Sequence, residues 1–354
     1  MNEDCCKLID ELQRTRSLPL EGYEHLVAHC DDDVAAEAAR RADRVRRAVY
    51  GTAVFTRGLI EISNYCKNDC LYCGIRRSNR QCTRYRLAPE QIMECTEAGY
   101  GLGFRTFVLQ GGEDAWFTDK RLCAIVGAIK DAHPDCAVTL SLGERSRESY
   151  RALRDAGADR YLLRHETADP DHYGRLHPRQ MSWERRMRCL HDLRDAGFTV
   201  GCGFMVGSPF QTPAHLAADL KFIERFEPDM CGIGPFIPHH ATPFAGEPGG
   251  TVAMTCFLLS LMRLIQPNLL IPATTALGTA EPYGREKGIR AGANVVMPNL
   301  SPVEVRGHYD LYDNKISTGV EAAECRADLD ARMRAIGYEL VVDRGDPRPA
   351  PGQT

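Results

Sequence analysis

The sequence predicts an α/β fold of the (β/α)8 TIM-type barrel class, preceded by a helical extension. Eight apolar, strand-like runs alternate with helical patterns from residue 51 onward. Several helical patterns end at an Ala-Gly pair that the next strand-like run follows at once, since glycine supplies the left-handed helix cap. No G-x-G-x-x-G motif follows a strand-like run, so a two-domain dinucleotide-binding fold is not expected.

The predicted elements follow in a regular order. Residues 1–50 are predicted to be helical, because DDDVAAEAARRADRVRRAVYG begins with acidic residues, ends in arginines and stops at Gly51. The predicted strands are AVFTRGLIEIS, RTFVLQGGE, AVTLSLGE, RYLLRHET, TVGCGFMVG, MCGIGPFIP, NLLIPATT and NVVMPN. Helical patterns begin near Pro89, Thr118, Arg147, Trp183, Pro213, Thr251 and Tyr283. The barrel is predicted to span residues 51–315, and residues 316–354 a C-terminal helix and a disordered tail, RGDPRPAPGQT, packed on or trailing the barrel.

The composition excludes several classes of function. The net charge of -4 argues against nucleic acid or an anionic membrane as the main partner. The basic run at Arg40, Arg41, Arg44, Arg46 and Arg47 is predicted to be a solvated helix face. No apolar stretch is long enough to span a bilayer, and MNEDCCKLIDELQR is not typical of a secretory signal. The 15 cysteines then predict a reducing, cytoplasmic location rather than a disulfide framework.

Three cysteines stand where such a barrel carries its chemistry, directly after the first predicted strand. The stretch YCKNDCLYC places Cys66, Cys70 and Cys73 within a polar loop. A structural zinc site needs four ligands, usually in paired motifs, and only one C-x-x-C occurs here. Thiolates also hold iron–sulfur clusters, in which four irons normally take four cysteines. Three cysteines leave one iron open to another ligand.

The spacing C-x-x-x-C-x-x-C, with Tyr72 before the last cysteine, resembles the radical S-adenosylmethionine superfamily. The resemblance implies that the amine and carboxylate of S-adenosylmethionine chelate the open iron. It further implies reductive cleavage of the sulfonium to methionine and a 5′-deoxyadenosyl radical.

The ends of later strands supply candidates for binding. Gln110-Gly111-Gly112-Glu113 ends the second strand and resembles the superfamily motif that holds the methionine amine; alone, it is more often a strand-end turn. Arg164 and Glu166 alternate with apolar residues and are expected to line the barrel; an internal salt bridge is the alternative. His165 is expected to point toward the helices.

Other candidates carry weaker signals. Arg186 begins a helix and suits a carboxylate, with Arg185 and Arg188 as competitors. Methionines at strand ends are usually core residues but could face a soft metal or an organometallic substrate. Tyr309 and Tyr312 could cap the barrel mouth or simply pack.

A closer resemblance is carried by EISNYCKNDCLYCGIRRSN, TLSLGE, GADRYLLRHETADP, GIGPFIPH, IPATTALGT and GANVVMPN. Over about residues 50 to 315 these motifs resemble HydE, the radical S-adenosylmethionine maturase family of FeFe hydrogenase, and more weakly biotin synthase and the methylornithine synthase PylB. The resemblance implies that Cys66, Cys70 and Cys73 hold a catalytic 4Fe–4S cluster. It assigns the S-adenosylmethionine site to Tyr72, Gly111, Gly112, Glu113, Ser141, Glu166, Arg186 and Met205. It assigns the substrate cavity to Thr139, Arg164, Met230, Thr274, Thr275, Met297, Tyr309 and Tyr312.

The resemblance also implies a role in building the hydrogenase di-iron centre. The substrate would be an iron–cysteine complex bearing carbonyl and cyanide, and the partners a reductant such as ferredoxin or flavodoxin and other maturases. Two alternatives stay open: a radical enzyme acting on an amino acid or sulfur-containing small molecule, and a non-catalytic iron–sulfur scaffold. Two departures from the family pattern matter. KISTGVEAAECRADLD offers only Ser317 and Cys325 for an auxiliary cluster, which predicts one cluster per chain, and Phe210 stands where a glycine is commoner.

Overall fold

The chain forms a closed barrel of parallel strands with helices outside it, which confirms the predicted fold class. The computed structural model describes residues 3–316 and 323–349. The strands are β1 (Ala53–Thr56), β2 (Gly58–Ser63), β3 (Thr106–Gly111), β4 (Ala137–Ser141), β5 (Arg160–Leu162), β6 (Thr199–Cys202), β7 (Met205–Val206), β8 (Met230–Cys231), β9 (Gly234–Pro235), β10 (Val295–Val296) and β11 (Glu339–Val341). The helices are α1 (Glu3–Thr15), α2 (Leu20–Ala28), α3 (Asp32–Tyr50), α4 (Pro89–Gly101), α5 (Asp119–Ala132), α6 (Arg147–Asp155), α7 (Pro170–Leu176), α8 (Trp183–Asp195), α9 (Pro213–Phe226), α10 (Val252–Ile265), α11 (Thr275–Ala280), α12 (Gly284–Arg290), α13 (Val303–Arg306) and α14 (Arg326–Ala335).

Parallel contacts run around the whole barrel. Strands β2, β3, β4, β5, β6 and β8 form one sheet in that order. The chain beyond β8 continues it through parallel bridges from Met230 to Leu270 and from Pro272 to Val295. A last parallel bridge, from Asn299 to Leu59 of β2, closes the ring. Loops that follow the strands therefore gather at one end, called here the C-terminal end of the barrel.

Several predicted strands are interrupted in the structure. The first breaks at Arg57, between β1 and β2. The fifth and sixth break at Gly203 and Gly232, which face each other so closely that a Cβ on Gly203 would lie 2.0 Å from the Gly232 carbonyl oxygen. The seventh, NLLIPATT, forms only isolated bridges, because Pro272 has no N–H to donate and α11 begins at Thr275.

The seven predicted helix starts are confirmed within one residue by α4, α5, α6, α8, α9, α10 and α12. Capping explains part of this success, because Thr118, Ser146 and Ser182 each accept a hydrogen bond from a backbone N–H of the helix that follows. Helices α7, α11 and α13 were not predicted, because they are too short to produce a recognisable helical pattern of apolar residues in the sequence.

The N-terminal extension is helical and packs on the barrel, with α2 against α9 and α3 against α10. The prediction of a solvated arginine face on α3 is wrong for Arg46, which is buried and donates to the carbonyl oxygens of Gly51 at 2.7 Å and Ala53 at 2.5 Å. Its long side chain bridges the end of α3 to β1. No helix within the described residues is long and apolar enough to cross a membrane.

The C-terminal part of the chain returns to the other end of the barrel. Strand β11 pairs in parallel with β1. The prediction of a disordered tail is wrong at its start, because Arg160 of β5 donates to the Arg344 carbonyl at 2.8 Å and to Asp346 at 2.6 Å. A buried arginine needs such acceptors, and the tail provides them. The division of the chain at residues 50 and 315 stays a prediction.

Candidate active site

The loop that carries the three cysteines follows β2 at the C-terminal end of the barrel and is held from several sides. The Leu71 N–H donates to the Leu176 carbonyl of α7 at 3.0 Å, and the Gly74 N–H to the Leu311 carbonyl at 2.9 Å. The Arg84 guanidinium donates to the carbonyl of Ile75 at 2.7 Å. These hydrogen bonds are formed by the protein alone and hold the backbone of the loop in place.

An internal carboxylate fixes the same loop. Asp69 accepts from Arg76 Nε at 2.7 Å and from the Ser78 hydroxyl at 2.6 Å. The hydrogen bond from Arg76 holds the pKa of Asp69 well below its usual range. Asp69 is therefore ionised at neutral pH and tied to the loop's own arginine, so its charge is not available to a ligand.

Cys66, Cys70 and Cys73 are free, partly buried thiols on this loop. Among the described residues, the only metal-like group whose ligand atoms all lie within 4.8 Å of one another is His239, His240 and Asp313, so the three Sγ atoms are spread more widely. Tetrahedral zinc with bonds of about 2.3 Å would bring its sulfurs to about 3.8 Å from one another. The spacing therefore fits a multi-iron cluster better than a single ion.

Burial raises the pKa of all three thiols, that of Cys70 to about 12. A thiol in such surroundings becomes a thiolate only when a cation compensates the charge. The chemistry of these donors thus fits iron.

The end of β3 passes directly over the cysteine loop. A Cβ on Gly112 would lie 2.3 Å from the Tyr65 carbonyl oxygen and 2.8 Å from Cys66 Cβ, so only glycine fits. Glu113 follows, with Oε2 at 2.9 Å from Lys67 Nζ and Oε1 accepting the Glu144 N–H at 3.0 Å. The predicted Gly111-Gly112-Glu113 cradle therefore lies beside Cys66.

Arg186 is buried, and its guanidinium contacts a carboxylate that the sequence analysis missed. Its Nε donates to Glu144 Oε1 at 2.7 Å, while Arg185 Nε lies 3.0 Å from Glu144 Oε2. Glu144 ends TLSLGE, directly after the left-handed Gly143, and that strand-end carboxylate was the available signal. A cavity of about 330 Å³ is lined by Lys67, Arg77, Glu113, Glu144, Met181 and Arg185, among others, next to the cysteine loop. Ser141, at the end of β4, is half-buried.

Polar atoms without hydrogen-bond partners in the described part of the chain line the barrel interior. They include Thr139 Oγ1, Arg164 Nε and Nη2, and Glu166 Oε2. Arg164 Nη2 lies 3.2 Å from Glu166 Oε2, so the ion pair weighed as the alternative is present, but its angles are not those of a hydrogen bond. Glu166 also adopts a left-handed backbone, φ 67°, a strained conformation that is typical of functional sites.

His165 points away from this interior, as predicted. Its Nδ1 accepts the Gly203 N–H at 3.3 Å, so Nε2 carries the proton and donates to Asp219 of α9 at 3.2 Å. The residue between Arg164 and Glu166 therefore anchors this strand end to a helix.

The sequence analysis also missed two charged groups of the barrel. Arg57 is buried, with Nη1 at 3.0 Å from Met230 Sδ, while its Nε and Nη2 have no hydrogen-bond partner among the described residues. Glu61 is fully buried, 2.6 Å from Lys315 Nζ and 3.0 Å from Asn299 Nδ2. Each places a charged residue within an apolar strand sequence, and this pattern could have identified both as charged groups of the barrel.

The remaining candidates lie around these groups. The Tyr72 hydroxyl donates to His177 Nε2 at 3.1 Å, and the Tyr72 ring packs with Met205 beside Leu176. Met297 packs beside Met230. Thr274 donates to the Ile233 carbonyl at 3.1 Å, and Thr275 begins α11. Tyr309 is buried and Tyr312 half-buried on the segment that ends at Lys315. All these assignments to ligands stay predictions.

The predicted departures have different outcomes. Ser317 lies outside the described residues, and Cys325 ends a short 3-10 helix. Phe210 keeps a left-handed backbone, φ 68°, which glycine adopts freely, and the Arg175 guanidinium lies 3.5 Å from its ring centroid. Phe210 therefore holds a backbone conformation that costs more strain than it would for glycine.

The histidine group, His239, His240 and Asp313, is held together by hydrogen bonds within the protein. His239 Nδ1 accepts the Ala241 N–H at 3.0 Å, so Nε2 carries the proton and donates to Asp310 at 3.2 Å. Asp313 accepts from the His240 backbone at 2.9 Å and contacts its Nδ1 at 2.7 Å. These contacts hold the segment with Tyr309 and Tyr312 over the residues that follow Cys73.

Comparisons with known proteins agree with this geometry. The sequence model described as Radical SAM superfamily matches residues 60–223. The FeFe hydrogenase maturase subunit HydE of Thermotoga maritima is 43% identical over 96% of each chain. The 3-methylornithine synthase of Methanosarcina acetivorans is 28% identical, covering 85% of this chain and 88% of its own. The crystal structure of methylornithine synthase (PylB) superimposes with a TM-score of 0.82 at 24% identity, over 94% of this chain and 97% of the other, which shows the shared fold.

A closed barrel with three cysteines after its first strand defines a radical S-adenosylmethionine enzyme, and the chain belongs to that superfamily. Its cofactors are accordingly a 4Fe–4S cluster and S-adenosylmethionine. Within the superfamily, the chain belongs to the HydE family.

Proposed function

We propose that this enzyme acts in the assembly of the di-iron active site of FeFe hydrogenase, on an iron–cysteine complex that carries carbonyl and cyanide. The observation that carries the proposal is the barrel interior. There Arg57, Thr139, Arg164 and Glu166 present buried polar atoms without hydrogen-bond partners in the described residues. Burying such atoms costs free energy unless a polar ligand forms hydrogen bonds with them. The 43% identity to the maturase of Thermotoga maritima supports this choice of ligand.

The cofactors supply one piece of chemistry, the one-electron cleavage of a sulfonium that generates a 5′-deoxyadenosyl radical. The chain's own residues hold and orient the reactants. Cys66, Cys70 and Cys73 would hold the cluster by three of its irons, which would leave one iron for the sulfonium compound. Glu113 would accept hydrogen bonds from the methionine ammonium, and Arg185 or Arg186, which share Glu144, would hold its carboxylate.

The interior would bind the anionic parts of the substrate. Arg57 and Arg164 provide buried guanidinium N–H groups, and Thr139 a hydroxyl, for a carboxylate or cyanide. The sulfur of Met230, which already contacts Arg57 Nη1, offers a soft neighbour to a metal complex. Because the ring of strands is closed, water is kept away from the reacting atoms.

We also propose the partners and the compartment. The electron would come from a reductant such as ferredoxin or flavodoxin, and substrate and product would pass to and from other hydrogenase maturases. All 15 cysteines are free thiols, which supports a reducing compartment such as the cytoplasm.

The test is anaerobic incubation of the cluster-loaded enzyme with S-adenosylmethionine, dithionite and a synthetic iron–cysteine dicarbonyl cyanide complex. We expect 5′-deoxyadenosine or an adenosylated product to form together with loss of the carbonyl infrared bands of the complex. The Cys70→Ser variant under the same conditions is the control. Cleavage of S-adenosylmethionine with an untouched iron complex would reject this substrate.

A second candidate is radical rearrangement of an amino acid. The adjacent opposite charges of Arg164 and Glu166 would suit a zwitterion, and the 3-methylornithine synthase is 28% identical. Consumption of lysine or another amino acid in the same assay, with the iron complex ignored, would favour it. If no 5′-deoxyadenosine forms with any substrate, a non-catalytic iron–sulfur scaffold would be the better description.

A further inference from the structure

The surface around the cysteine loop is strongly cationic, although the chain as a whole is acidic. Residues 66–86 contain six lysines and arginines and one carboxylate, Asp69. Residues 175–188 contain five arginines and one carboxylate, Glu184. The net charge of the full chain is -4, so this concentration of positive charge is local.

The two segments form one continuous surface. The Leu71 N–H donates to the Leu176 carbonyl at 3.0 Å, and the Sγ of Cys70 lies 3.7 Å from the Sδ of Met181. Both segments line the cavity of about 330 Å³ beside the cysteines. Lys67, Arg77 and Arg185 line this cavity, and Arg80, Arg175 and Arg179 are exposed on the same two segments; these six residues are called here the cationic face.

Much of this charge is not neutralised within the protein. Asp69 is matched by Arg76 at 2.7 Å. The side chains of Arg77, Arg80 and Arg179 are exposed and form no ion pair or hydrogen bond with any described residue. Exposed arginines without counter-ions project their field into solvent and attract a partner of opposite charge.

We propose that the cationic face is the docking surface of a small acidic one-electron carrier protein that reduces the cysteine-bound cluster. The proposal rests on the proposed function, in which each cleavage of S-adenosylmethionine consumes one electron. The carrier is oxidised by one electron and the cluster reduced by one, with no bond made or broken at the face. Docking here places the carrier beside the loop that holds the cluster.

A carrier protein fits this face better than a nucleic acid. The cationic residues lie on two segments that meet at one cavity, and the rest of an acidic chain repels a long polyanion. Exposed aromatic surface near the opening comes from Tyr65, 37% exposed, and Phe210, 41% exposed, which suits a compact protein contact.

The test combines two charge reversals that touch neither cavity nor cysteines, Arg80→Glu with Arg179→Glu. Flavodoxin hydroquinone is mixed anaerobically with cluster-loaded protein, and the second-order rate of its oxidation is measured at low and high salt. We expect the double variant to react at least about tenfold more slowly at low salt, and the difference to shrink as salt is added. Binding of oxidised flavodoxin to cluster-free protein, measured by calorimetry, should weaken in parallel.

Two controls keep the outcome interpretable. Arg44→Glu with Arg290→Glu reverses exposed charges on α3 and α12, away from the face, and should leave the flavodoxin rate unchanged. The extent of cluster reduction by excess dithionite should be equal in all variants; the extent is compared rather than the rate, because dithionite is itself an anion.

Unchanged flavodoxin kinetics in the double variant would overturn the proposal, as would incomplete reduction by excess dithionite, which would mean a damaged cluster site. Binding of tRNA with equal affinity and equal sensitivity to the two reversals would show a general polyanion surface instead. If the wild type accepts electrons but never cleaves S-adenosylmethionine, the proposed function fails while the docking surface stands.

Discussion

Two arginines four residues apart show how the two ends of this barrel differ. Arg160, at the start of β5, donates to Thr106 Oγ1 at 3.1 Å, to Asp346 at 2.6 Å and to the Arg344 carbonyl at 2.8 Å. Arg164, just beyond the end of the same strand, lies 3.2 Å from Glu166 but makes no side-chain hydrogen bond within the described residues through its Nε or Nη2. Both terminal nitrogens of Arg160 find acceptors within the chain and only its Nε has none among the described residues, whereas Arg164 leaves both Nε and Nη2 without a partner.

The difference in hydrogen bonding indicates that Arg160 has a structural role and Arg164 a functional one. A buried guanidinium costs free energy that hydrogen-bond acceptors must offset, and the C-terminal tail supplies them at one end. At the other end the acceptors are missing, and a strained backbone at Glu166, φ 67°, adds to the cost. We infer that the polar groups without partners at this end are retained because a bound ligand forms hydrogen bonds with them.

The largest effect should come from the loop at the unsatisfied end. Cys70→Ser is expected to abolish cleavage of S-adenosylmethionine and to lower bound iron, because a hydroxyl is a poor ligand for this cluster. The matched control is Cys82→Ser, which changes a thiol of the same loop whose contact is Asn64 Nδ2 at 3.5 Å. Iron content, the cluster absorption band and 5′-deoxyadenosine are the readouts. A fully active Cys70→Ser enzyme would contradict the cluster assignment.

The second prediction tests the two arginines directly. Arg164→Met is expected to lower the turnover efficiency of the iron complex by about 100-fold, equivalent to about 3 kcal/mol, since a ligand charge would lose its partner. Its free energy of unfolding should fall by less than that of Arg160→Met, because Arg164 loses an ion pair with Glu166 but no well-formed side-chain hydrogen bond.

Arg160→Met should behave in the opposite way. It should lower the free energy of unfolding by about 2 kcal/mol, because three hydrogen bonds to a charged group disappear, and leave the activity of the folded enzyme near that of the wild type. Equal losses of stability in both variants, by denaturant titration, would erase the contrast between the two ends.

A structural feature could be predicted from the sequence when the residues that form it lie close together in the chain. Helix starts with a capping residue, such as Thr118 and Ser146, were predictable because the cap and its N–H partner lie three residues apart. The loop with three cysteines after the first strand was predictable because Cys66, Cys70 and Cys73 lie within nine residues of the sequence. Arg164 and Glu166 were predictable from strand alternation.

Partners far apart in sequence were not predictable. Glu144 pairs with Arg186, 42 residues later, and Glu61 pairs with Lys315, 254 residues later. The composition of the tail is typical of disorder, yet Asp346 accepts a hydrogen bond from Arg160, 186 residues earlier. Such pairings are set by barrel closure, which brings together groups that no local pattern connects.

The smallest predicted effect concerns a histidine at the unsatisfied end that is kept neutral. Burial lowers the pKa of His177 from 6.5 to about 3. Its Nδ1 lies 3.0 Å from the Tyr173 carbonyl, which can only accept, so Nδ1 carries the proton and Nε2 accepts the Tyr72 hydroxyl at 3.1 Å. Protonation of Nε2 would replace this acceptor by a donor next to the cysteine loop.

The sign of the pH dependence follows from this neutral state. Between pH 6.5 and about 3 the unfolded chain binds a proton at His177 that the folded protein does not, so stability falls as the pH falls through this window. From pH 7 to pH 5 the loss due to this group should be about 2 kcal/mol. His177→Gln offers an amide donor and a carbonyl acceptor without titrating, so its loss of stability over the same range should be smaller by that amount in urea titrations. Parallel curves for the wild type and the variant would mean that His177 is protonated within the fold, and that Tyr72 is positioned beside the cluster by something other than a neutral imidazole.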